Sequence, residues 1–277
     1  MISHLPKKTL EDLEFYEVTE QIADFAITPM GKAFCENMEP LADKDTMLKE
    51  LHTVSEYLGS FENDNSIPNH EFEDLSPAIK LLKIENSVLE ISALRNIAAA
   101  SKRVNTLLIF FNKFKAYYPN LLSLGSELEV NKEIKKEIDN VINRFGEVRD
   151  NASKNLFTLR KQIQALKSKI AQSFNKALSN YQNLNYLDEI RESVVENKRV
   201  LAIKGMYRRK VKGGIMGSSK TGSIVFIEPE ATLNFSRELQ NIIFEESEEI
   251  KKILSQLTDY LRPQFSLIKS YQNYLIL

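Results

Sequence analysis

Over the first 145 residues, apolar positions recur at steps of three and four, the spacing of one face of a helix. Leu10, Leu13, Val18, Ile22 and Phe25 make the first such stripe. Thr28-Pro29 offers a capping hydroxyl and a proline for the first helical turn, so a short helix is predicted to start there and to end by Pro40. Asp43 caps a further helix with Leu48, Leu51, Val54 and Leu58 on one side. Residues 62–70, ENDNSIPNH, read as a polar loop, and Ser76-Pro77 opens the next helix. A long helix is predicted over 87–115, with Ile91, Leu94, Ala98, Leu107, Phe111 and Phe114 facing inward, before Tyr118-Pro119-Asn120 breaks the chain. All of these stripes are read as core.

From Asp150 the pattern tightens. Leu156, Leu159, Ile163, Leu166, Ile170, Phe174, Ala177, Tyr181 and Leu184 form a coiled-coil seam with one irregular step and no glycine or proline. Such a helix, about 35 residues at 1.5 Å each, is on the order of 50 Å long and is expected to project from a compact body. Then the period shortens. Residues 193–195, 200–204, 211–216 and 223–227 are rich in Val and Ile and read as short strands. Glu228-Pro229 ends them. A second long helix follows, with Leu239, Ile243, Ile250, Ile253, Leu257 and Leu261 at coiled-coil spacing. The fold class expected is mainly α: a multi-helical core, a long antiparallel coiled-coil pair, and a small antiparallel β-sheet at its tip.

Charge changes this picture more than composition does. The chain of 277 residues carries a net charge of −1. Residues 151–227 alone hold 15 lysines and arginines against four acids, a net +11, which leaves −12 on the remainder. Segregation on that scale speaks to partners and not to fold. Scarce Gly and Pro suit a helical protein, and a single cysteine, Cys35, excludes an internal disulfide and fits a reducing compartment. No apolar run is long enough to span a bilayer, and MISHLPKK has no secretory core, so a cytoplasmic location is expected. The apolar, uncapped end YQNYLIL reads as a cut within a longer protein.

Candidate catalytic chemistry is thin. GSSKTG, residues 217–222, resembles a phosphate-binding loop only at first sight. That loop needs glycine directly before the lysine and a helix directly after it, so that backbone N–H groups wrap the phosphates. Here Ser219 precedes Lys220, and GSIVFIEP follows with the pattern of a strand. His4, His52 and His70 are scattered, without the spacing of a zinc pair. His4 and His70 are read as exposed, His52 as structural, and Cys35 as core filling. The acidic run Glu245, Glu246, Glu248 and Glu249 is read as a solvated face, partly paired with Lys252. No catalytic residue, metal ligand or cofactor site is assigned.

The basic segment supplies the binding candidates: Arg199, Lys204, Tyr207, Arg208, Arg209, Lys210, Lys212 and Lys220. MYRRKVKGG, residues 206–214, reads as a hairpin tip that presents charge and glycine N–H groups to phosphates, with little sequence preference. The competing interpretation is an interaction arm whose seam and acidic return helix dock a protein or ribosomal RNA.

Several phrases resemble the MutS family, and within it the recombination-suppressing bacterial branch that lacks the mismatch-reading domain. These are TLEDLEF (9–15), TPMGK (28–32), GEVRDNASKNLFTLR (146–160), YLDE (186–189), GSIVFIEP (222–229), Asn234, and LQNIIFEESEEIKKIL (239–254), in that order. The resemblance implies a helical core over 1–145, an outgoing lever helix over 146–190, a β-rich DNA clamp over 191–228 and a returning lever helix from 229. It also implies DNA as a partner, a link to stalled ribosomes and their RNA in some members, self-dimerisation in the intact protein, and ATP with Mg only in an ATPase domain outside this segment. The sequence departs from the family pattern in the clamp. Gly217-Ser218 stands where His-Asp is usual, and Ala202 stands where proline is common.

Overall fold

The computed structural model describes residues 5–41, 43–62 and 65–276; His4 and, in the polar loop, Asn63 and Asp64 lie outside the described residues. In chain order the helices and strands are α1 (Lys7–Asp12), α2 (Phe15–Ala23), α3 (Pro29–Glu36), α4 (Lys44–Gly59), α5 (Ser76–Leu82), α6 (Ile91–Lys113), α7 (Pro119–Leu124), α8 (Glu133–Val141), α9 (Lys154–Asn183), β1 (Leu187–Val195), β2 (Lys198–Lys204), β3 (Gly213–Ser218), β4 (Ile224–Pro229), α10 (Glu230–Leu261) and α11 (Phe265–Ile276). The protein is mainly helical with one small antiparallel sheet. Met1–Arg149 with Ile253–Leu277 forms one compact unit, and Asp150–Lys252 forms another. Among the described residues no helix is long and apolar enough to cross a membrane.

In the first unit the two caps read from sequence are made. The Thr28 hydroxyl accepts from the Gly31 N–H at 3.0 Å, and the Asp43 carboxylate accepts from the Thr46 N–H at 2.8 Å. The core forms around α6, whose Leu94, Ile97, Val104 and Phe111 are buried with Leu82 of α5, Ile134 and Ile138 of α8, and Ile268 and Tyr271 of α11. Buried polar side chains tie the backbone here. Gln272 accepts from the Leu75 N–H and donates to the Ser76 hydroxyl, both at 2.8 Å. Thr258 accepts from the Leu89 N–H at 3.0 Å. Each satisfies a backbone donor that burial would otherwise leave unpaired.

The expectation that the first two stripes are core does not hold. Val18, Ile22 and Phe25 of the α2 region are exposed, Phe25 at 87%. On α4, Leu48, Leu51, Val54 and Leu58 are exposed too, Leu51 and Leu58 at 59% each. The face that α4 turns inward is Thr53, Glu56, Tyr57 and Ser60. On that inward face the Glu56 carboxylate caps another helix: it accepts from the Asn120 N–H at 3.0 Å and the Leu121 N–H at 2.9 Å, at the N-terminus of α7. The carboxylate satisfies orphan donors at the positive end of that helix. His52 is exposed, whereas His70 is half-buried, its Nε2 3.4 Å from the Tyr57 hydroxyl. Cys35 is half-buried and stands outside the core.

In the second unit α9 and α10 run antiparallel. Contacts step along α9 from Ser153 to Ser173 as they step back along α10 from Glu249 to Ala231. Glu249 accepts from the Ser153 hydroxyl (2.7 Å) and the Asn155 amide (2.9 Å), and Glu246 pairs with the Arg160 Nε at 2.7 Å. The Lys169 ammonium sits over the Phe235 ring, and the Ser173 hydroxyl donates to the Ala231 carbonyl at 2.9 Å. Leu156, Leu159, Ile163, Leu166 and Phe174 of the expected seam are buried, but Leu184 is exposed. On α10 Ile243 is exposed, and small polar residues, Thr232 and Ser236, are buried instead near the sheet. The acidic run is therefore not a uniformly solvated face. Two of its members bind α9, and Glu248 pairs with Lys251 in place of Lys252.

The sheet has strand order β1-β2-β4-β3, every neighbouring pair antiparallel. Val195 pairs with Lys198 across Glu196 and Asn197, both at positive φ, the backbone of a two-residue primed turn. The first strand begins at Leu187, earlier than the apolar pattern indicates, because Asn185 at φ 58° ends α9 and a bulge over 188–191 then carries Arg191 at φ 60°. The sheet packs on the last turns of α9, around Phe174, Leu201, Ile203, Val225 and Ile227.

Candidate nucleic-acid interface

The segment between β2 and β3 carries most of the sequence-derived candidates, and its path differs from the hairpin expected. Strand β2 pairs with β4, and β3 lies on the far side of β4. Residues 205–212 therefore cross the sheet from the start of β4 to its end. A short 3₁₀ turn, Gly205–Tyr207, begins the crossing, and buried Val211 plugs it into the cluster between α9 and the sheet. Gly213 then lands on β4 so closely that a Cβ there would lie 2.1 Å from the Glu228 carbonyl oxygen, so only glycine fits.

Anchored at both ends, this crossing displays its basic side chains. Arg208, Arg209, Lys210 and Lys212 are exposed. Among the described residues none of these four has an ion-pair partner within 4.0 Å. Lys204 is half-buried at the end of β2, where its N–H reaches the Tyr186 carbonyl at 3.0 Å. Lys220 is exposed on the β3–β4 turn, which abuts the start of the crossing: the Gly205 N–H donates to the Ser223 carbonyl at 2.7 Å. Lys204 and Lys220 thus stand at one end of the crossing, and Lys212 at the other.

Arg199 behaves differently from the rest of its set. Its guanidinium donates to Glu192 (2.6 Å from Nη2) and to Asn175 (3.2 Å), and lies 4.3 Å from the centre of the Phe174 ring. It fastens β2 to β1 and α9. Lys198, not singled out from the sequence, is likewise committed, to Glu228 at 3.0 Å, whose side chain is only 3% exposed.

The GSSKTG turn is the hairpin that the sequence placed there. The Ser219 N–H donates to the Ile224 carbonyl at 2.9 Å, the Ile224 N–H returns to the Ser219 hydroxyl at 3.1 Å, and Gly222 takes φ 72°. Strand β4 follows directly, so no helix begins at the turn. The turn lacks the following helix that a phosphate-binding loop uses.

Tyr207 is set in a stack. Its ring lies on that of Tyr186 with centroids 4.5 Å apart and planes 20° apart, and Tyr186 continues to Tyr181 at 6.3 Å and 25°. The Lys210 ammonium sits 5.7 and 5.6 Å from the Tyr186 and Tyr207 ring centres. The sequence reading named Tyr207 but not Tyr181 or Tyr186; the spacing of Tyr181 assigned it to the helical seam. A further basic stretch was visible only as charge: Lys161 and Lys167 line an open groove of about 410 Å³ on α9 beside Arg160 and Phe157.

Comparison with known proteins finds one named group. Proteins named Endonuclease MutS2 match along nearly the whole chain: that of Lactobacillus helveticus is 27% identical over 268 residues, covering 96% of this chain, and that of Bacillus velezensis 27% over 259 residues, covering 92%. The chain is similar to the MutS2 proteins. The Aquifex aeolicus MutS2 is 24% identical over 258 residues. The MutS resemblance read from the sequence is borne out by these matches, and the chain spans about a third of the length of the MutS2 relatives it matches. No family model matches.

Proposed function

We propose that residues 150–252 form the nucleic-acid-gripping part of a MutS-like DNA repair or recombination protein, with α9 and α10 as the paired lever helices and the sheet as the clamp. The observation that carries this is the anchored crossing, which holds Arg208, Arg209, Lys210 and Lys212 in solvent without acidic partners, among the described residues, inside a segment of net charge +11. Glycine constrains the landing at Gly213, so the four charges sit on a fixed path and not on a loose loop. With Lys204 and Lys220 beside one end, six cations are available to phosphates. Contacts of this kind fix position and carry no base information, so duplexes of different sequence should bind alike.

The test is a titration of the chain with a short duplex at several salt concentrations. Six phosphate contacts give a slope of about −5 in log K against log salt. The variant Arg208→Ala/Arg209→Ala/Lys210→Ala should lower that slope by close to three units. Binding that is tight but insensitive to salt, or unchanged by the triple variant, refutes the proposal. Docking of ribosomal RNA would use the same cations, and a structured RNA in a parallel titration separates that reading by preference. The acidic return helix offers less support for a protein-docking arm, since Glu246 and Glu249 are already engaged with α9.

A further inference from the structure

Beyond the basic crossing lies the aromatic stack, which phosphate binding does not use. We infer that Tyr207 is a stacking platform for an unpaired nucleobase, so that this surface holds a single strand by a base as well as by its phosphates. This rests on the phosphate-binding reading above and adds a base-binding site to it.

The geometry carries the inference in three steps. Tyr207 stacks on Tyr186, Tyr186 in turn neighbours Tyr181, all three rest against the cluster between α9 and the sheet, and among the described residues Tyr207 has no second ring against it. Tyr207 remains half-exposed, with Met206 beside it 78% exposed and Arg208 exposed on its other side. Its ring is held by the stack below and by the 3₁₀ turn that carries it, so little freedom is lost when a base settles on it. The ammonium of Lys210 stands near the rings, and the neighbouring arginines supply partners for the phosphates on either side of such a base.

A paired base inside a duplex has both faces covered by its neighbours and gains nothing from a protein ring. An unpaired base has a free π-face, and base–aromatic stacking is tolerant of sequence because every base has one. The platform therefore reads pairing state and not sequence.

The experiment uses the chain itself with two probes: a single-stranded oligonucleotide containing 2-aminopurine and the same strand annealed to its complement. Stacking on Tyr207 should quench the 2-aminopurine emission of the single strand. Tyr207→Phe keeps the ring and should behave as the parent. Tyr207→Leu should weaken single-strand binding about tenfold and abolish the quenching, while duplex binding stays within twofold. Circular dichroism of both variants checks the fold, and the phenylalanine variant keeps the test decisive if the leucine variant unfolds: loss of quenching in a folded Tyr207→Phe chain overturns the stacking assignment. Equal losses on both probes with Tyr207→Leu, or none on either, overturn it as well. Duplex binding without single-strand quenching defeats this inference alone; no binding to either probe defeats the phosphate reading with it.

Discussion

Phe174 joins α9 to the sheet, and truncating it should loosen the candidate interface from within. Its side chain is 1% exposed and packs among Leu201, Ile203, Val225 and Ile227, with the Arg199 guanidinium against its ring at 4.3 Å. Burying an aromatic side chain removes about 150–250 Å² from water, which at about 25 cal/mol per Å² is roughly 4–6 kcal/mol. Phe→Ala substitutions in cores cost about 3–5 kcal/mol once partial relaxation is counted. The guanidinium contact adds less than about 1 kcal/mol, because the arginine is part-exposed and keeps Glu192 as a partner. A total of about 4 kcal/mol is expected for Phe174→Ala. Amide hydrogen exchange reads it at Val200–Ile203, whose side chains are fully buried in the same sheet: opening should become about a thousandfold more frequent. Phe157→Ala on the same helix is the control, since that ring is 44% exposed under the Lys161 ammonium, and its cost should stay below about 1 kcal/mol. If both substitutions speed exchange equally, or Phe174→Ala by less than tenfold, burial does not govern stability at this junction.

Three further outcomes follow from the geometry. The Glu249 carboxyl is held below its ordinary value of 4.5 by the hydrogen bond from the Ser153 hydroxyl first, then by that from the Asn155 amide. A depressed value means stabilisation that is complete above pH 4.5 and lost as pH falls through the folded value, so Glu249→Gln should lower melting temperature at neutral pH and flatten its fall in acid. Arg262 donates to the carbonyls of Leu82 (2.9 Å), Ser87 (3.1 Å) and Ile84 at the end of α5, and Arg262→Ala should cost about 2 kcal/mol in urea denaturation, with Arg262→Lys recovering only part of it. Leu51→Ser/Leu58→Ser on the exposed side of α4 should change the unfolding free energy of the chain by less than about 1 kcal/mol; a loss of about 4 kcal/mol, typical of core leucines, would show that this stripe is buried after all.

What could be read from the chain depended on how local its cause was. Thr28 and Asp43 cap helices because a short side chain reaches a backbone N–H three residues on, and no other part of the molecule is needed for that. The seam through Leu156, Leu159, Ile163 and Leu166 is legible for a similar reason: a helical period repeated without interruption fixes which face is apolar, and here that face was buried. On α4 an equally regular stripe pointed outward, while Glu56 on the opposite face meets the N-terminus of α7, far along the sequence. Periodicity defines a face but does not name its neighbour.

The candidate site divides in the same way. The sequence by itself determined the helical class, the change of period from long helix to short strands, the strand that follows GSSKTG, and the accumulation of fifteen basic residues over 151–227. Each is a property of composition or of spacing along the chain. Only the tertiary structure decided that residues 205–212 cross β4 instead of forming a hairpin, that Arg199 and Lys198 are spent on Glu192 and Glu228, and that Tyr181, Tyr186 and Tyr207 share one stack. Those outcomes depend on strand order. It is set by which edges pair and which side chains fill the space over α9, interactions between residues that adjacency in the sequence does not bring together.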